Sequence, residues 1–184
     1  MYIFGYGSLI NSSSRELTGQ TGDAIPVIVH GLVRHWSKID DSYVLSPLAV
    51  NQGEGQVNGV LLEVDDFALE EFDKREAGYH RIQIDHSKID ALATIDTDKT
   101  VWVYVVNDTT APCLNSPIVQ SYVDTVLAGC LDISEAFATH FIEHTVGWHH
   151  ARENDRHQPK YTRIAGVTPE HHDKIDGLIE QGLR

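Results

Sequence analysis

The chain has 184 residues, of which 41% are hydrophobic and 22% are charged. This size and composition are typical of one soluble folded domain, and they exclude a globally disordered chain. The 14 Lys and Arg residues against 27 Asp and Glu residues give a formal net charge of −13. Phosphate groups need a basic surface, so this charge predicts that the chain has no nucleic-acid partner.

The composition also bears on the compartment in which the protein works. No apolar run reaches the roughly 18–20 residues that a membrane-spanning helix needs. The apolar start lacks a positively charged segment and is interrupted by Gly5 and Gly7, unlike a signal peptide. The two cysteines, Cys113 and Cys130, are too few for a disulfide framework. These features predict a cytoplasmic protein with no membrane partner.

Short strand-like runs dominate the first 110 residues. They are β-branched, aromatic or alternating in hydrophobicity, and turns rich in Gly, Asn and Asp separate them. The predicted strands span residues 1–6, 26–33, 57–64, 79–86 and 101–106. Strands at this density predict a small closed or nearly closed sheet.

One predicted helix interrupts the strands and another ends the chain. The first runs to about residue 77, with Asp65 or Asp66 as its N-terminal cap and Gly78 as a left-handed stop. The last follows Pro169.

Two further helices are predicted between these. One has Ser116 as its cap and Pro117 as its first residue, and ends before Gly129. The other begins at Asp132, where Glu135 completes a capping-box-like pair, and runs to about residue 145.

The order of elements predicts one α+β domain over residues 1–184, with a core of about residues 1–131 and a helical extension of about residues 132–184. Residues 147–163 of the extension are polar and irregular. Their basic side chains have two interpretations. They could bind an anionic ligand or the acidic surface of a partner, or they could lie in a loop over the domain and interact with its own acidic residues.

The first candidate functional element directly follows the first strand. Its sequence is Gly5-Tyr6-Gly7-Ser8-Leu9. Alternating glycines can adopt positive φ and turn the chain sharply, so that successive N–H groups face one concavity suited to a carboxylate or phosphate. Ser8 would add a hydroxyl, and Tyr6 an aromatic wall with a polar tip. The alternative is a plain tight turn after an edge strand.

The second candidate is Glu76, near the end of the first predicted helix. The helical period places it between Leu69 and Phe72 on the inward face. Burial there would raise the pKa of Glu76, and the negative end of the helix dipole would act in the same direction. Both effects favour a general base that works near neutral pH. The alternative is a structural ion pair with a nearby arginine: Arg34, Arg75 or Arg81.

Residues 3–9 (IFGYGSL) and 75–79 (REAGY) together resemble motifs of the γ-glutamylcyclotransferase superfamily. Residues 29–36 (VHGLVRHW) and 55–61 (GQVNGVL) are similar to segments of its ChaC-like and AIG2-like bacterial branches. The resemblance covers roughly residues 1–110, in the same order along the chain.

The resemblance implies a small mixed β-barrel with flanking helices and neither a metal nor another cofactor. It also implies a small-molecule γ-glutamyl substrate, which is cyclised to 5-oxoproline with release of the attached amine or amino acid. Glu76 would be the general acid/base. The implied substrate-binding residues are Gly5, Tyr6, Gly7, Ser8, Leu9 and Tyr104.

Two alternatives remain within this resemblance. The Gly-Tyr-Gly-Ser-Leu loop is nearer to the ChaC-like branch than to the vertebrate-type enzyme, whereas residues 59–63 depart from the glutathione-specific ChaC pattern. A glutathione-specific cyclotransferase is therefore one alternative. The other is a non-catalytic module that binds a small carboxylate on the same fold.

A separate motif, His140-Phe141-Ile142-Glu143-His144, fits the H-x-x-E-H pattern of inverted zinc metalloproteases. Two histidines four residues apart can chelate zinc. The same two histidines also share one helix face with Phe137 and Phe141, as an ordinary packing stripe would.

Overall fold

A mixed sheet of seven strands forms the centre of the computed structural model, which describes residues 1–19, 22–38, 44–76 and 78–182. Its strands are β1 (Tyr2–Gly5), β2 (Ala24–Trp36), β3 (Leu48–Glu63), β4 (His80–Ile84), β5 (Ile89–Ala91), β6 (Val101–Val105) and, further along, β8 (Thr145–Val146). Between β6 and β8 along the chain lies β7 (Ile118–Val119), which pairs with β9 (Arg152–Glu153) in a separate two-stranded parallel sheet.

Five helices flank the sheet within the described residues. They are α1 (Ser12–Glu16), α2 (Asp66–Arg75), α3 (Gln120–Ile133), α4 (Glu135–Glu143) and α5 (Pro169–Gly182). None of these helices is long and apolar enough to cross a membrane.

The large sheet is curled, and β2 has two partners along its outer edge: β5 at residues 27–29 and β8 at residues 34–35. The strand order is β4-β6-β1-β3-β2-β5, and β8 pairs with the far end of β2. The register between β2 and β3 shifts between His30 and Leu32, and Gly31 between them has a φ of +87°. Such a bulge increases the local twist. The result is a half-barrel with flanking helices, which confirms the predicted α+β class.

The core is divided by the two faces of the sheet. Alternate residues of β1 face opposite sides, so Phe4 packs inside the curl while Ile3 packs with Phe72 beneath α2. A third cluster packs α3, α4 and α5 around Trp36 and Trp148. Strand β1 is therefore buried on both faces and holds the loop that follows it in place.

The predicted strands all occur, but two are much longer than expected. β2 extends to Trp36, and β3 starts at Leu48 rather than at residue 57. The glycines that indicated a turn lie within β3 because the partner strand passes close to them. A Cβ on Gly53 would lie 2.8 Å from Val33 Cγ2, and one on Gly55 would lie 2.6 Å from the Leu32 carbonyl oxygen.

The first and last helices are confirmed at their predicted starts. Asp65 caps α2 by accepting from the Ala68 N–H at 2.8 Å, and Gly78 has a φ of +95°. The last helix begins at Pro169.

The caps predicted for the middle helices are wrong. Ser116 does not start a helix, because Ile118 and Val119 pair with β9 before α3 begins at Gln120. Asp132 is still within α3, and Ser134 caps α4 by accepting from the Phe137 N–H at 3.1 Å.

Gly129 also differs from its predicted role as a stop, because α3 continues through it to Ile133. A Cβ at this position would lie 2.5 Å from Asn11 Cα. The glycine is needed for close packing of α3 rather than to end the helix. The division into a core and an extension near residue 131 stays a prediction.

Candidate active site

A cavity of about 620 Å³ opens beside the end of β1. Its walls come from the loop after β1, the end of α2, β6 and the segment before α5. All the residues predicted for the site line it: Gly5, Tyr6, Gly7, Ser8, Leu9, Glu76 and Tyr104. The fold thus brings together two motifs that lie about 70 residues apart in the sequence.

The loop of residues 5–9 (the 5–9 loop) leads from β1 into a 3-10 turn, Ser8–Ile10. The prediction that its glycines adopt positive φ is wrong, because neither Gly5 nor Gly7 has a positive φ. They are needed for space instead. A Cβ on Gly5 would lie 2.7 Å from Leu9 Cβ, and one on Gly7 would lie 2.9 Å from the hydroxyl of Tyr122.

The 3-10 turn leaves backbone donors near the cavity. The Ile10 N–H donates to the Gly7 carbonyl at 2.9 Å, and the Asn11 N–H donates to the Ser8 carbonyl at 3.1 Å. Among the described residues, the N–H groups of Ser8 and Leu9 meet no backbone carbonyl. These donors lie at the start of the turn, where helical backbone N–H groups ordinarily lack a partner.

Buried contacts hold the 5–9 loop from below. The Tyr6 hydroxyl donates to the Tyr104 carbonyl at 2.9 Å, and Arg34 Nη1 donates to the Tyr6 carbonyl at 3.3 Å. Arg34 has no exposed surface, and its other bonds join Asn58, Phe141 and Thr145. The loop is thereby tied to β6 on one side and to the centre of the sheet on the other.

Glu76 lies at the C-terminal end of α2. It caps the helix through its backbone N–H, which donates to the Phe72 carbonyl at 2.9 Å. The side chain is half-buried and lines the cavity. Within the described ranges, no cation lies within 4.0 Å of the carboxylate and no hydrogen bond reaches it.

None of the three arginines considered as ion-pair partners forms that pair. Arg34 bonds to neutral oxygens in the interior. Arg81 binds Asp73 at 2.9 Å instead. Arg75 lies over the ring of Phe72, with 4.5 Å from Cζ to the ring centroid. The interpretation of Glu76 as half of a structural ion pair therefore has no support in the geometry.

Burial raises the pKa of Glu76 above its ordinary value, and the positive charges of Arg75 and Arg163 oppose this rise. Because desolvation is the larger effect, the carboxyl holds its proton more tightly than a surface glutamate does. Glu76 in turn adds to the effect of burial in raising the pKa of the hydroxyls of Tyr6 and Tyr122. These tyrosines are therefore neutral donors at neutral pH.

Tyr104 forms part of the cavity wall, but its hydroxyl is already engaged. It donates to Asp73 Oδ1 at 2.6 Å, and Arg81 holds the same carboxylate through Nη1. The ring stacks on Phe72 at 6.4 Å between centroids. Burial raises the pKa of Tyr104, and the Asp73 carboxylate adds to the rise.

Three further side chains of the cavity come from the second half of the chain: Tyr122, Tyr161 and Arg163. Tyr122 belongs to the apolar stripe of α3, and its ring contacts Tyr161 with centroids 4.8 Å apart. Tyr161 and Arg163 belong to residues 147–163 (the polar tail), for which the sequence indicated only a polar and irregular segment. The signal that was available is an aromatic and a basic residue close together in that tail.

The H-x-x-E-H motif lies away from this cavity, at the end of α4. The rings of His140 and His144 stack with centroids 4.1 Å apart, and His144 Nε2 lies 3.1 Å from Gln56 Nε2. Burial lowers the pKa of His140 to about 4. In the part of the chain that the structure describes, no three His, Cys, Asp or Glu side chains converge in a way that could hold a metal ion. This geometry favours the packing stripe.

Comparison with solved structures shows the fold. A protein named gamma-glutamyl cyclotransferase has a TM-score of 0.59 at 15% identity, over 96% of this chain and 98% of that one. The human protein loc79017 has a TM-score of 0.58 at 16% identity, over 95% and 97%. YkqA from Bacillus subtilis has a TM-score of 0.55 at 20% identity, over 75% of this chain and 51% of its own.

Comparison with sequences is more specific. No curated protein matches the chain significantly. The family described as "Gamma-glutamyl cyclotransferase, AIG2-like" matches residues 3–122, which is more than half of the chain and includes both the 5–9 loop and Glu76. The chain therefore belongs to the gamma-glutamyl cyclotransferase, AIG2-like family.

Proposed function

We propose that this protein is a γ-glutamylcyclotransferase-type enzyme. It converts a small γ-glutamyl amine or peptide to 5-oxoproline and releases the attached amine or amino acid. The observation that carries the proposal is the half-buried carboxylate of Glu76, which has no ion pair among the described residues and lies on the same cavity as the 5–9 loop. Membership of the family supports the reaction class.

The protein has to supply a base for this reaction, but it does not have to supply the nucleophile. The α-amine of the γ-glutamyl group is tethered to the γ-carbonyl that it attacks, so positioning supplies much of the rate. That amine is an ammonium at neutral pH and cannot attack until it loses a proton. Glu76 accepts this proton, and the free amine then forms the new C–N bond to the γ-carbonyl carbon.

The same carboxyl completes the reaction. The tetrahedral intermediate collapses when Glu76 returns the proton to the departing nitrogen, and the original C–N bond breaks. The ring nitrogen still carries one proton more than the lactam needs, and the released amine takes up this proton. The products are 5-oxoproline and the amine as its ammonium ion, with no net change in protons on the enzyme. Burial suits Glu76 to both steps, because a raised pKa makes it a stronger base when ionised and leaves it a competent acid when protonated.

The 5–9 loop supplies the donors of the proposed site. The N–H groups of Ser8 and Leu9 meet no backbone carbonyl among the described residues, although the Ser8 N–H interacts with the Tyr122 hydroxyl. They are suited to the α-carboxylate of the substrate or to the oxyanion that develops on the γ-carbonyl. Tyr6, held by Tyr104 and Arg34, forms a fixed wall beside them. Tyr104 contributes its ring to the wall, because its hydroxyl binds Asp73.

A panel of γ-glutamyl compounds tests the proposal, with 5-oxoproline measured by mass spectrometry. We expect turnover of at least one compound, and a loss of about 10²–10⁴-fold in kcat for Glu76→Gln. Glu70→Gln is the matched control, since Glu70 is exposed on the same helix, and it should retain full activity.

The panel also separates the alternatives. Turnover of glutathione alone would make the protein the glutathione-specific cyclotransferase. Calorimetric binding without 5-oxoproline from any compound would identify a non-catalytic carboxylate-binding module. Unchanged turnover in Glu76→Gln would remove the proposed role of this residue.

A further inference from the structure

Part of the cavity wall lies outside the segment that matches the family. That match ends at residue 122, whereas Tyr161 and Arg163 reach the cavity from the segment before α5. If Ser8 and Leu9 hold the α-carboxylate of the γ-glutamyl half, these two residues of the cavity wall remain available to the leaving group. A role for them in binding the leaving group rests on the proposed function.

The backbone on both sides of Arg163 is firmly attached to the rest of the fold. The Tyr161 N–H donates to Ser121 Oγ at 3.2 Å, and Ser14 Oγ donates to the Arg163 carbonyl at 3.1 Å. Asn11 Nδ2 donates to the Ala165 carbonyl at 3.1 Å. The side chain of Arg163 is therefore presented to the cavity from a fixed backbone while remaining exposed itself.

The cavity carries a net positive charge, whereas the whole chain is negatively charged. Among the described residues that line it, the charged side chains are Arg75, Arg163 and Glu76. With Glu76 ionised, these three carry a charge of 2 − 1 = +1, in a chain whose formal net charge is −13. Both arginines act on Glu76 from a distance, because each lowers the pKa of its carboxyl without contacting it.

Within the described residues, neither arginine forms an ion pair. In the described part of the chain, no carboxylate lies within 4.0 Å of Arg75 or Arg163. Arg75 makes one long bond to the Thr18 carbonyl, at 3.5 Å, and covers Phe72. A guanidinium without a carboxylate partner at a cavity is suited to bind the carboxylate of a ligand through two parallel N–H donors.

We propose that Arg163, assisted by Arg75, forms a subsite for a carboxylate on the leaving group. The enzyme then prefers γ-glutamyl amino acids and peptides over γ-glutamyl amines, because only the former carry that carboxylate. The same positive charge disfavours a substrate whose leaving group carries an ammonium group in addition to the α-ammonium of the γ-glutamyl half. Arg163 is on this view a specificity-determining residue contributed by the polar tail.

Two substrates that differ by a single carboxylate test this subsite: γ-glutamyl-alanine and γ-glutamyl-ethylamine. We expect wild-type enzyme to favour the first in kcat/KM, and Arg163→Gln to reduce the ratio of the two kcat/KM values by about tenfold or more. The ratio is the informative quantity, because any effect of Arg163 on the pKa of Glu76 acts on both substrates and cancels. Arg163→Lys should restore part of the ratio, since it restores the charge but not the planar pair of donors.

The matched control is Arg152→Gln, an exposed arginine of the same tail outside this cavity, which should leave the ratio unchanged. Equal turnover of the two substrates by wild type overturns the subsite alone. An equal loss for both substrates in Arg163→Gln also overturns it, because Arg163 would then act on the γ-glutamyl half. Failure of wild type to turn over any γ-glutamyl compound overturns the proposed function, and with it the subsite.

Discussion

At the scale of single residues, Glu76 is defined by the contacts that it lacks. A buried carboxylate is ordinarily neutralised by a cation or satisfied by hydrogen bonds. Glu76 has neither among the described residues, so burial raises its pKa and leaves its basicity available. An unpaired carboxylate is unfavourable for folding, which is typical of groups retained for chemistry rather than for stability.

The stability of the protein should depend on pH through Glu76. Folding raises the pKa of Glu76, so the folded state holds the proton more tightly than the unfolded chain does. Stability is therefore lost as pH rises from the ordinary glutamate value through the raised one. We expect Glu76→Gln to melt about 1–4 °C higher than wild type at neutral to slightly alkaline pH. The difference should shrink as pH falls below the ordinary value.

Thermal unfolding of both proteins across this pH range measures the effect. Glu70→Gln should show no such pH-dependent gain, because Glu70 is exposed to solvent on the same helix. A Glu76→Gln variant that is less stable than wild type at slightly alkaline pH would contradict the assignment of Glu76 as a desolvated, unpaired carboxylate.

At the scale of elements, close packing explains where the helix predictions were wrong. Gly129 has a sequence context typical of a helix stop, yet α3 continues past it. The residue is a glycine because Asn11 packs against this position. Asn11 in turn caps α1 and directly follows the 3-10 turn of the 5–9 loop. Because Gly129 has no side chain, α3 can lie close to the segment that carries the candidate site.

Paired glycine substitutions test this packing. Gly129→Ala places a Cβ 2.5 Å from Asn11 Cα, and we expect a loss of about 1–3 kcal/mol in the free energy of unfolding. Gly177→Ala lies in α5, where the added Cβ meets no described atom within 4 Å apart from its own stretch of helix, so helix propensity should dominate and stabilise by up to about 1 kcal/mol. Denaturant unfolding measures both, and opposite signs are expected. A stabilised Gly129→Ala would show that α3 can move away without penalty.

At the scale of the whole molecule, the polar tail completes the cavity, and a buried carboxylate holds it. Asp155 is 1% exposed and accepts from the Ser121 N–H at 2.7 Å, the Ser121 hydroxyl at 2.6 Å and the Lys160 N–H at 2.7 Å. Burial by itself would raise the pKa of Asp155, but these donors outweigh it and lower the value. The tail is therefore attached to the start of α3 by an ionised side chain.

Asp155→Asn should weaken the attachment of the tail to α3, because the substitution replaces one acceptor oxygen with an amide nitrogen and removes the negative charge. We expect a loss of about 2 kcal/mol of stability at neutral pH. The lowered pKa means that the stabilisation by Asp155 is lost as pH falls through its folded value, so the difference from wild type fades in acid. Hydrogen exchange of residues 156–166 and unfolding at several pH values measure this. Asp173→Asn, exposed on α5, is the control that should leave both unchanged.

Several features were determined by the sequence alone. Alternation and β-branched runs predicted the strands, the Asp65 cap and Gly78 bounded α2, and two short motifs predicted the family and the residues that line the cavity. These are local signals, since they depend on the preferences of a few neighbouring residues.

The remaining features depend on the three-dimensional fold. It showed that Gly5, Gly7 and Gly129 provide space rather than unusual backbone angles, that Glu76 lacks the ion pair considered for it, and that Arg163 reaches the same cavity. The physical reason is that each of these facts depends on contacts between segments far apart in the chain. The distance between Gly129 and Asn11, or between the tail and the end of α2, has no counterpart in a local sequence pattern.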